Sequence, residues 1–349
     1  MNTNPKTWLS LDKQLELLAS RNVTISDSNK AKECLERIGY YRLSGYLYPF
    51  KKDSYLCCKF PPKNLKSTSN FPGGIIKIDD YQNVNFETII DLYIFDKKLR
   101  LLILDAIERI EIALRSQIAH LLGEYGPYSY LESQYFYKDF TSSSNSGAFL
   151  SNHHLWLTKN ASLIKRSKED FIKHHKDNGL IPIPIWVICE VWDFGALATL
   201  YEGMLKDDQD KISCKYGIQN GRIFYKWLQV LGEIRNVCAH HSRLWNRNIL
   251  NVPTYPPASA YAWLSKLDTE ISNEKINNGI SKTKLFSILC ICSFLVKAIN
   301  PNSEWVERLI ELLKTLPDMS DQGLGLNSMG LDQTVLEEDW EGILRNIRN

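Results

Sequence analysis

The feature that most constrains the fold is a long segment without proline or glycine, residues 86 to 122 (FETIIDLYIFDKKLRLLILDAIERIEIALRSQIAHLL). Its apolar residues recur at steps of three and four, which is the spacing of one face of an α-helix. The positions on this stripe are Leu92, Phe95, Leu99, Leu102, Ala106, Ile110, Ala113 and Gln117. The segment therefore predicts the longest helix of the chain, with its end marked by Gly123 and the Gly126-Pro127 pair.

Helical patterns also recur in most of the remaining sequence. They cover residues 9–21, 26–38, 155–176, 184–205, 208–216, 220–240, 282–299, 302–315 and 335–346. Strand signals are confined to short stretches at 55–60 and 74–78, and the aromatic residues and glycines of 36–50 predict a packed turn or short strand. The predicted class is all-α, a helical bundle with minor β content and a small N-terminal helical and aromatic accessory region.

Breaks in these patterns predict the domain organisation. The stretch from Pro61 to Asn85 is rich in Pro, Gly, Ser, Thr and Asn, which is typical of a connection. The prediction is an accessory region at 1–60, a connection at 61–85, a helical domain at 86–316 and a C-terminal tail at 317–349.

Charge and cysteine usage exclude some classes of protein. The formal net charge of the 349 residues is +2, so any site for a polyanion must be a local patch. The eight cysteines include no C-x-x-C pair, and the first residues (MNTNPKTWLSLDKQ) lack an apolar signal core. The most apolar run, 285–299, is too short to span a bilayer. These features predict a cytoplasmic protein with reduced thiols and no membrane partner.

No motif for a metal or cofactor stands out. Apart from His120, the histidines form three adjacent pairs at 153/154, 174/175 and 240/241, and neighbours on a helix point about 100° apart. The sequence contains no H-x-x-x-H, G-x-S-x-G, P-loop or G-x-G-x-x-G motif. We therefore predict neither a metal site nor a cofactor.

Residues 231 to 250 (LGEIRNVCAHHSRLWNRNIL) are different, because their side chains suit the cleavage of RNA. RNA carries its own nucleophile, the 2′-hydroxyl, so cleavage needs a proton acceptor and a cation that stabilises the phosphorane. A histidine titrates near neutral pH, and an arginine binds phosphate through two hydrogen bonds. Arg235, Asn236 and His240 supply a phosphate clamp, an orienting amide and a proton shuttle.

Helix geometry restricts how these residues can meet. Arg235 and His240 are five positions apart, which is about 140° of rotation on an unbroken helix. Either the helix ends near His240, or a second copy of the chain completes the site across a two-fold axis. We favour the dimer.

A purely structural interpretation of the same pattern remains open. Arg115 and His120 (RSQIAH) have the same spacing inside the long helix, where packing and an i,i+4 pair between Glu111 and Arg115 explain them. The cluster at 235–247 would then be a helix end whose arginines bond to carbonyls and whose histidines are solvated.

The stretch RNVCAHHSRLWNR (235–247) resembles the signature of the Abi-like abortive-infection proteins of bacterial phage defence, which are placed in the HEPN superfamily of helical RNases. Three further blocks resemble the family in the same order, and the resemblance runs from about residue 10 to 315. The blocks are CLERIGYYRLSGYLYPF (34–50), DLYIFDKKLRLLILDAIERIEIALRSQIAH (91–120) and PIWVICEVWDFGALATLYEGM (184–204).

The resemblance implies an RNA-cleaving homodimer of HEPN-type bundles. Arg235 and His240 would be the catalytic pair, Asn236 would orient the phosphate or the histidine, and Glu108 or Glu111 would face the motif arginine. The remaining polar residues of the block would contact RNA, namely His241, Arg243, Asn246 and Arg247. An antitoxin, either a protein or a small RNA, would restrain the activity. The alternative is a non-catalytic HEPN-type module that binds RNA or a protein.

Overall fold

Helices dominate the computed structural model of this protein, which describes residues 7–55, 75–82, 84–143, 149–271, 274–276 and 279–349. The α-helices are α1 (Leu11–Ser20), α2 (Ser28–Ile38), α3 (Tyr40–Leu47), α4 (Phe86–Tyr125), α5 (Lys138–Thr141), α6 (Asn152–Arg166), α7 (Asp170–Asp177), α8 (Ile185–Ile188), α9 (Phe194–Gly203), α10 (Lys206–Lys215), α11 (Gly221–Ala239), α12 (Leu285–Ile299), α13 (Trp305–Lys314), α14 (Gln333–Glu337) and α15 (Trp340–Arg345). Short 3₁₀ helices occupy Tyr48–Phe50, Ser129–Leu131, Ser133–Tyr135, Cys189–Val191, Ala262–Lys266, Ser320–Gln322 and Leu326–Met329. The predicted all-α class is confirmed.

The β structure is small. The strands are β1 (Val23–Thr24), β2 (Lys51–Tyr55), β3 (Ile75–Tyr81), β4 (Val84–Asn85), β5 (Thr269–Ile271) and β6 (Glu274–Ile276). They form separate two-stranded pairs, parallel between β1 and β4 and antiparallel between β2 and β3 and between β5 and β6. The strand predicted at 55–60 lies almost wholly outside the described residues.

The long helix α4 runs from Phe86 to Tyr125 and ends where Gly126 takes a φ of +139°. It continues through Gly123, because a single glycine costs a helix only about 1 kcal/mol. As far as Ile110, the residues of the predicted apolar stripe are buried, except Leu102, which is half-buried. Beyond Ile110, the buried positions are Leu114 and Ile118 instead of the predicted Ala113 and Gln117. A helix has 3.6 residues per turn, so positions repeated every seven residues gradually rotate away from the buried face.

Contacts divide the chain into two units, each formed by two separate stretches. The first unit comprises Met1–Leu99 and Leu312–Leu326, and the second comprises Arg100–Glu311 and Asn327–Asn349. The boundaries predicted from composition stay predictions, because much of the proposed connection lies outside the described residues.

Within the first unit, the prediction of a turn or strand at 36–50 is wrong. This stretch contains α3 and a 3₁₀ turn, because Leu43, Tyr46 and Leu47 share a buried face and override the helix penalty of Gly45. The Tyr46 hydroxyl donates to Asp96 Oδ2 at 2.6 Å. Tyr41 and Tyr48, by contrast, are exposed.

The core of the second unit contains α12, in which every residue from Leu285 to Val296 is buried. Helix α11 packs against α9, α10 and α12, and this position fixes the end of α11 that carries the motif. No helix among the described residues combines the length and apolar character needed to cross a membrane. Cys189, Cys238, Cys290 and Cys292 are buried and reduced, and the two cysteines at 57 and 58 lie outside the described residues.

Candidate functional site

The motif lies at the carboxyl end of α11. Arg235 and Asn236 lie in the last turns of the helix, and His240 is its C-cap. Leu231, Ile234 and Cys238 form the buried face, as the 3.6-residue period requires, while Arg235 is half-buried and Asn236 and His240 are exposed. The helix therefore ends at the motif histidine, which is the first of the two arrangements expected from the spacing.

Backbone hydrogen bonds reverse the chain directly after His240. The Ser242 amide donates to the Val237 carbonyl and the His241 amide donates to the Cys238 carbonyl, each at 3.0 Å. This pair of bonds defines a Schellman turn, in which the residue after the cap adopts a left-handed conformation. His241 takes that role with a φ of +55°, in place of the usual glycine. The turn leaves both histidines exposed at the end of the helix.

A buried arginine of α4 supports this turn. Arg100 is only 4% exposed, and its Nη1 donates to the Ser242 carbonyl through a long hydrogen bond of 3.4 Å. This bond gives the Ser242 carbonyl, which lies beyond the helix end, a hydrogen-bond donor. It also connects α4 to the motif turn. Sequence reasoning missed Arg100, because it is one of several cations on α4 and its spacing does not distinguish it from the others.

The motif arginine has a carboxylate in its electrostatic environment. Burial raises the pKa of Glu111, and the positive charges of Arg115 and Arg235 act against this rise. Glu111 Oε1 accepts from Arg115 Nη2 at 2.9 Å. Of the two carboxylates proposed to face Arg235, Glu111 is therefore the half-buried one whose charge interacts with it, whereas Glu108 is exposed.

The second match to the same spacing is structural. The Arg115 side chain is 14% exposed, pairs with Glu111 and donates to the Trp192 carbonyl at 3.0 Å. His120 is exposed, and its Nε2 lies 3.8 Å from Glu124 Oε1. The predicted ion pairing of Arg115 is thus confirmed.

The polar residues that follow the turn are anchored to the start of α12. Asn246 has a φ of +53°, and its Oδ1 accepts from Lys284 Nζ at 3.0 Å. The Ile249 amide donates to the Thr283 carbonyl at 2.8 Å. Leu244, Trp245 and Ile249 are buried among these polar residues, while Arg243, Asn246 and Arg247 are half-buried.

The structure brings only some of the predicted residues together. Arg235 shares the environment of Glu111, His240 and His241 follow one another in the turn, and Asn246 bonds to Lys284. Among the described residues, the side chains of Arg235 and His240 make no hydrogen bond with each other. Arg247 Nε is buried and has no hydrogen-bond partner in the described part of the chain.

Metal-ligating side chains are scattered. No group of three or more His, Cys, Asp and Glu residues suited to a metal ion occurs within the described ranges. The positions that sequence reasoning missed are Arg100 and Lys284. Lys284 lies 38 residues beyond its partner Asn246, so local spacing carries no signal for it.

Comparisons with known proteins place the motif within one family. The model of a family described as "Abi-like protein" matches residues 33–246, which is more than half of the chain and includes Arg235, Asn236 and His240. No curated protein and no solved structure gives a significant match.

Proposed function

The chain belongs to the Abi-like protein family, and we propose that it is an endoribonuclease of bacterial phage defence that uses Arg235, Asn236 and His240. Family membership indicates a role in abortive infection. The observation that carries the step to RNA cleavage is the position of these three residues. They lie at one end of α11, where the histidine is exposed and the arginine is half-buried with its charge acting on Glu111.

In the proposed reaction His240 accepts the proton of a ribose 2′-hydroxyl, and the 2′-oxygen attacks the neighbouring phosphorus. The bond to the 5′-oxygen then breaks, and that oxygen takes up a proton from water, while protonated His240 returns its proton to the solvent. The products are a 2′,3′-cyclic phosphate and a 5′-hydroxyl. Arg235 stabilises the negative charge that develops on the phosphorane, and Asn236 orients the phosphate or the imidazole. Since RNA supplies the nucleophile, the reaction requires no metal ion.

We propose that two copies of the chain form the working site as a homodimer, each lending Arg235 and His240 to a shared cleft. In the single chain, the charge of Arg235 acts on Glu111, while His240 is exposed at the helix end. A partner chain would bring the complementary side chain to each of them. The proposal includes RNA contacts from His241, Arg243, Asn246 and Arg247, and restraint of the activity by a protein or RNA antitoxin.

The test is cleavage of a single-stranded RNA by purified protein, with the ends of the fragments mapped. We expect His240→Ala to lower the cleavage rate at least about 100-fold, because general acid–base catalysis contributes that much. Arg235→Ala should cost about as much, through lost stabilisation of the phosphorane. Growth arrest on expression should disappear in both variants.

His120→Ala is the matched control, because His120 is an exposed histidine with the same spacing to an arginine. It should leave the cleavage rate unchanged. Wild-type activity in His240→Ala would overturn the proposal and favour a binding module, and loss of cleavage on adding EDTA would contradict the metal-independent mechanism.

A further inference from the structure

A cavity at the surface of the second unit lies between the last turns of α4 and the residues in and after α8. Its volume is about 480 Å³, which is within the range of sites that hold ligands. The residues that line it include Ser116, His120, Gly123, Glu124, Trp186 and Glu190. The motif block at 235–247 contributes none of the lining among the described residues, so the cavity is a separate feature.

Trp186 gives this cavity a large aromatic wall. The residue is 55% exposed, although it belongs to α8 in a well-buried part of the chain. The six-membered ring of the indole lies against α4, since a Cβ placed on Gly123 would be 3.7 Å from Trp186 Cε3 and 3.9 Å from Cζ3. This contact holds the ring in place while much of its surface stays open to a ligand. Tryptophan is also enriched among the residues that anchor protein–protein contacts.

The charged groups of the cavity are mainly acidic. The side chains of Glu190 and Glu124 are 54% and 69% exposed. Glu190 Oε2 lies 3.4 Å from Arg115 Nη1, but the same guanidinium pairs more closely with Glu111, at 2.9 Å. One arginine thus serves two carboxylates and neutralises Glu190 only in part. Glu124 Oε1 lies 3.8 Å from Nε2 of His120, which is charged only when protonated. The lining therefore carries net negative charge at neutral pH.

An exposed indole and carboxylates in one cavity suit a cation, and a guanidinium best of all. The face of a tryptophan ring attracts cations, and carboxylates accept charge-assisted hydrogen bonds from them. A guanidinium is planar, so it can stack on the ring while its N–H groups bond to a carboxylate at its edge. A lysine ammonium is a compact point charge without this planar fork. The carboxylates repel the phosphates of a nucleic acid, which disfavours RNA at this place.

The surface beside the cavity indicates that the guanidinium belongs to a protein. Ile112, Ser116, Ala119 and Gly123 follow one another at steps of three and four, so they lie along one face of α4. Ile112 is 53% exposed and continues this face past the cavity. An apolar side chain next to an anchoring pocket is typical of a protein–protein interface, and a small free cation would leave Ile112 in water.

We propose that this cavity binds an arginine side chain of a partner protein. The guanidinium stacks on Trp186 and donates hydrogen bonds to the carboxylates of Glu190 and Glu124. The inference goes beyond RNA cleavage and does not depend on it, because every residue that carries it lies outside the motif block.

The experiment follows the indole N–H signal of Trp186 by NMR in the full chain, isotope-labelled at its tryptophans. The signal is identified by its loss in Trp186→Phe. The probe is Nα-acetylarginine amide, and Nα-acetylcitrulline amide is its neutral control of nearly the same shape. We expect the arginine probe to shift the signal and to bind at least about tenfold more tightly than the citrulline probe, because hydrogen bonds between charged groups are the strong ones. Equal shifts with the two probes, or no shift with either, would overturn the inference.

Nα-acetyllysine amide tests the choice of a guanidinium. It should bind more weakly than the arginine probe, because an ammonium cannot stack and bond through one plane. A lysine probe that binds as tightly as the arginine probe would contradict the proposed geometry.

Three variants test the carboxylates. Glu190→Gln and Glu124→Gln keep the size of the side chain and should each weaken binding of the arginine probe about tenfold. Glu304→Gln is the matched control, because Glu304 is exposed outside the cavity and should leave the affinity unchanged. An equal loss in all three variants would mean that the probe responds only to overall charge, and the site would be refuted.

The same signal separates this inference from base stacking and from the proposed function. A single-stranded 2′-O-methyl RNA, which lacks the nucleophile and stays intact, should leave the Trp186 signal unchanged. A selective shift with this RNA would assign the indole to a base and overturn the inference. If the protein binds the arginine probe but fails to cleave RNA, the proposed function fails and this inference stands.

Discussion

At the residue scale, Glu111 pairs with one arginine and feels the charge of a second. Its side chain is 18% exposed and pairs with Arg115, and the charge of Arg235 also acts on it. Removing this carboxylate would leave Arg115, among the described residues, with only the longer ion pair to Glu190, at 3.4 Å, whose side chain is 54% exposed. The loss of the closer counter-charge from a largely desolvated arginine costs more than the original pair contributed.

We therefore predict that Glu111→Ala lowers the free energy of unfolding by about 2 kcal/mol. Glu111→Gln should lose less, because an amide oxygen can still accept from Arg115. Urea unfolding measures both. Glu108→Ala is the control, since Glu108 is exposed on the same helix and should change stability by less than about 0.5 kcal/mol. Equal losses in Glu108→Ala and Glu111→Ala would contradict the argument.

His153 makes stability depend on pH in a predictable direction. Its ring is buried, lies 4.9 Å from the ring of Phe136 between centroids, and its Nε2 is 2.9 Å from the Tyr130 carbonyl, to which it donates. Burial lowers the pKa of His153 below its ordinary 6.5. Above pH 6.5 the imidazole is neutral in both folded and unfolded states, so it adds no pH dependence. Between pH 6.5 and the lower pKa of the folded state, the unfolded state binds the proton more fully than the folded state does, so stability falls as pH falls.

The expected contribution is up to about 1.4 kcal/mol per pH unit below 6.5. It is measured by urea unfolding at a series of pH values between about 7.5 and 5. His153→Phe, which keeps an aromatic ring beside Phe136, should show a shallower loss than the wild type. If the free energy of unfolding falls equally with pH in both proteins, burial does not lower the pKa of His153 and the argument is contradicted.

At the element scale, α11 contains two glycines that differ in how much room a side chain would have. A Cβ on Gly221 would lie 2.5 Å from the Gln209 Cβ and 2.8 Å from its backbone carbonyl carbon, so α10 and α11 approach too closely there for a side chain. A Cβ on Gly232 would meet Phe194 at 3.6 Å, which is an ordinary contact. The same substitution should therefore have opposite effects at the two positions.

Gly221→Ala should destabilise the protein by about 2 kcal/mol through overpacking. Gly232→Ala should stabilise it by about 0.5–1 kcal/mol, because alanine restricts the unfolded chain and favours the helix. Thermal unfolding of the two variants gives the comparison. Destabilisation by both would mean that α11 packs more tightly near the motif than these distances indicate.

The elements that sequence could predict are those governed by local rules. Helix α4 follows from its periodicity. Helix α2 lies within the predicted range 26–38 and begins after Asp27, whose side chain accepts from the Asn29 and Lys30 amides. Helix α3 does not follow from local rules, because Gly39 and Gly45 oppose it and only the burial of Tyr46 and its neighbours explains it. Local preference is weak where tertiary packing is strong.

The residues of the candidate site also fall into two groups, those that the sequence pattern reveals and those that only the structure reveals. Arg235, Asn236 and His240 are visible as a spaced pattern in one helix end. Glu111 and Arg100 come from α4 and Lys284 from the start of α12, and each reaches the motif region through packing across long sequence separations. A single sequence gives no information on which distant residues pair, so these contacts become visible only in the structure.

At the scale of the whole molecule, the arrangement of the motif bears on assembly. Within one chain the Arg235 and His240 side chains are not hydrogen-bonded to each other in the described structure, and the proposed site requires both at one phosphate. If two chains exchange these groups, a hybrid of two inactive chains should regain activity. If each chain uses its own pair, it should not.

We predict that mixing Arg235→Ala and His240→Ala proteins, after dissociation and reassembly, restores RNA cleavage to about a quarter of the wild-type rate. Half of randomly assembled dimers are hybrids, and a two-fold axis gives each hybrid one complete Arg–His pair out of two. Either variant alone should remain inactive, and the recovered rate should fall on dilution below the dissociation constant of the dimer. A mixture no more active than its components, in a sample shown by sedimentation to contain hybrids, would place the working pair within one chain and remove the shared cleft from the proposal.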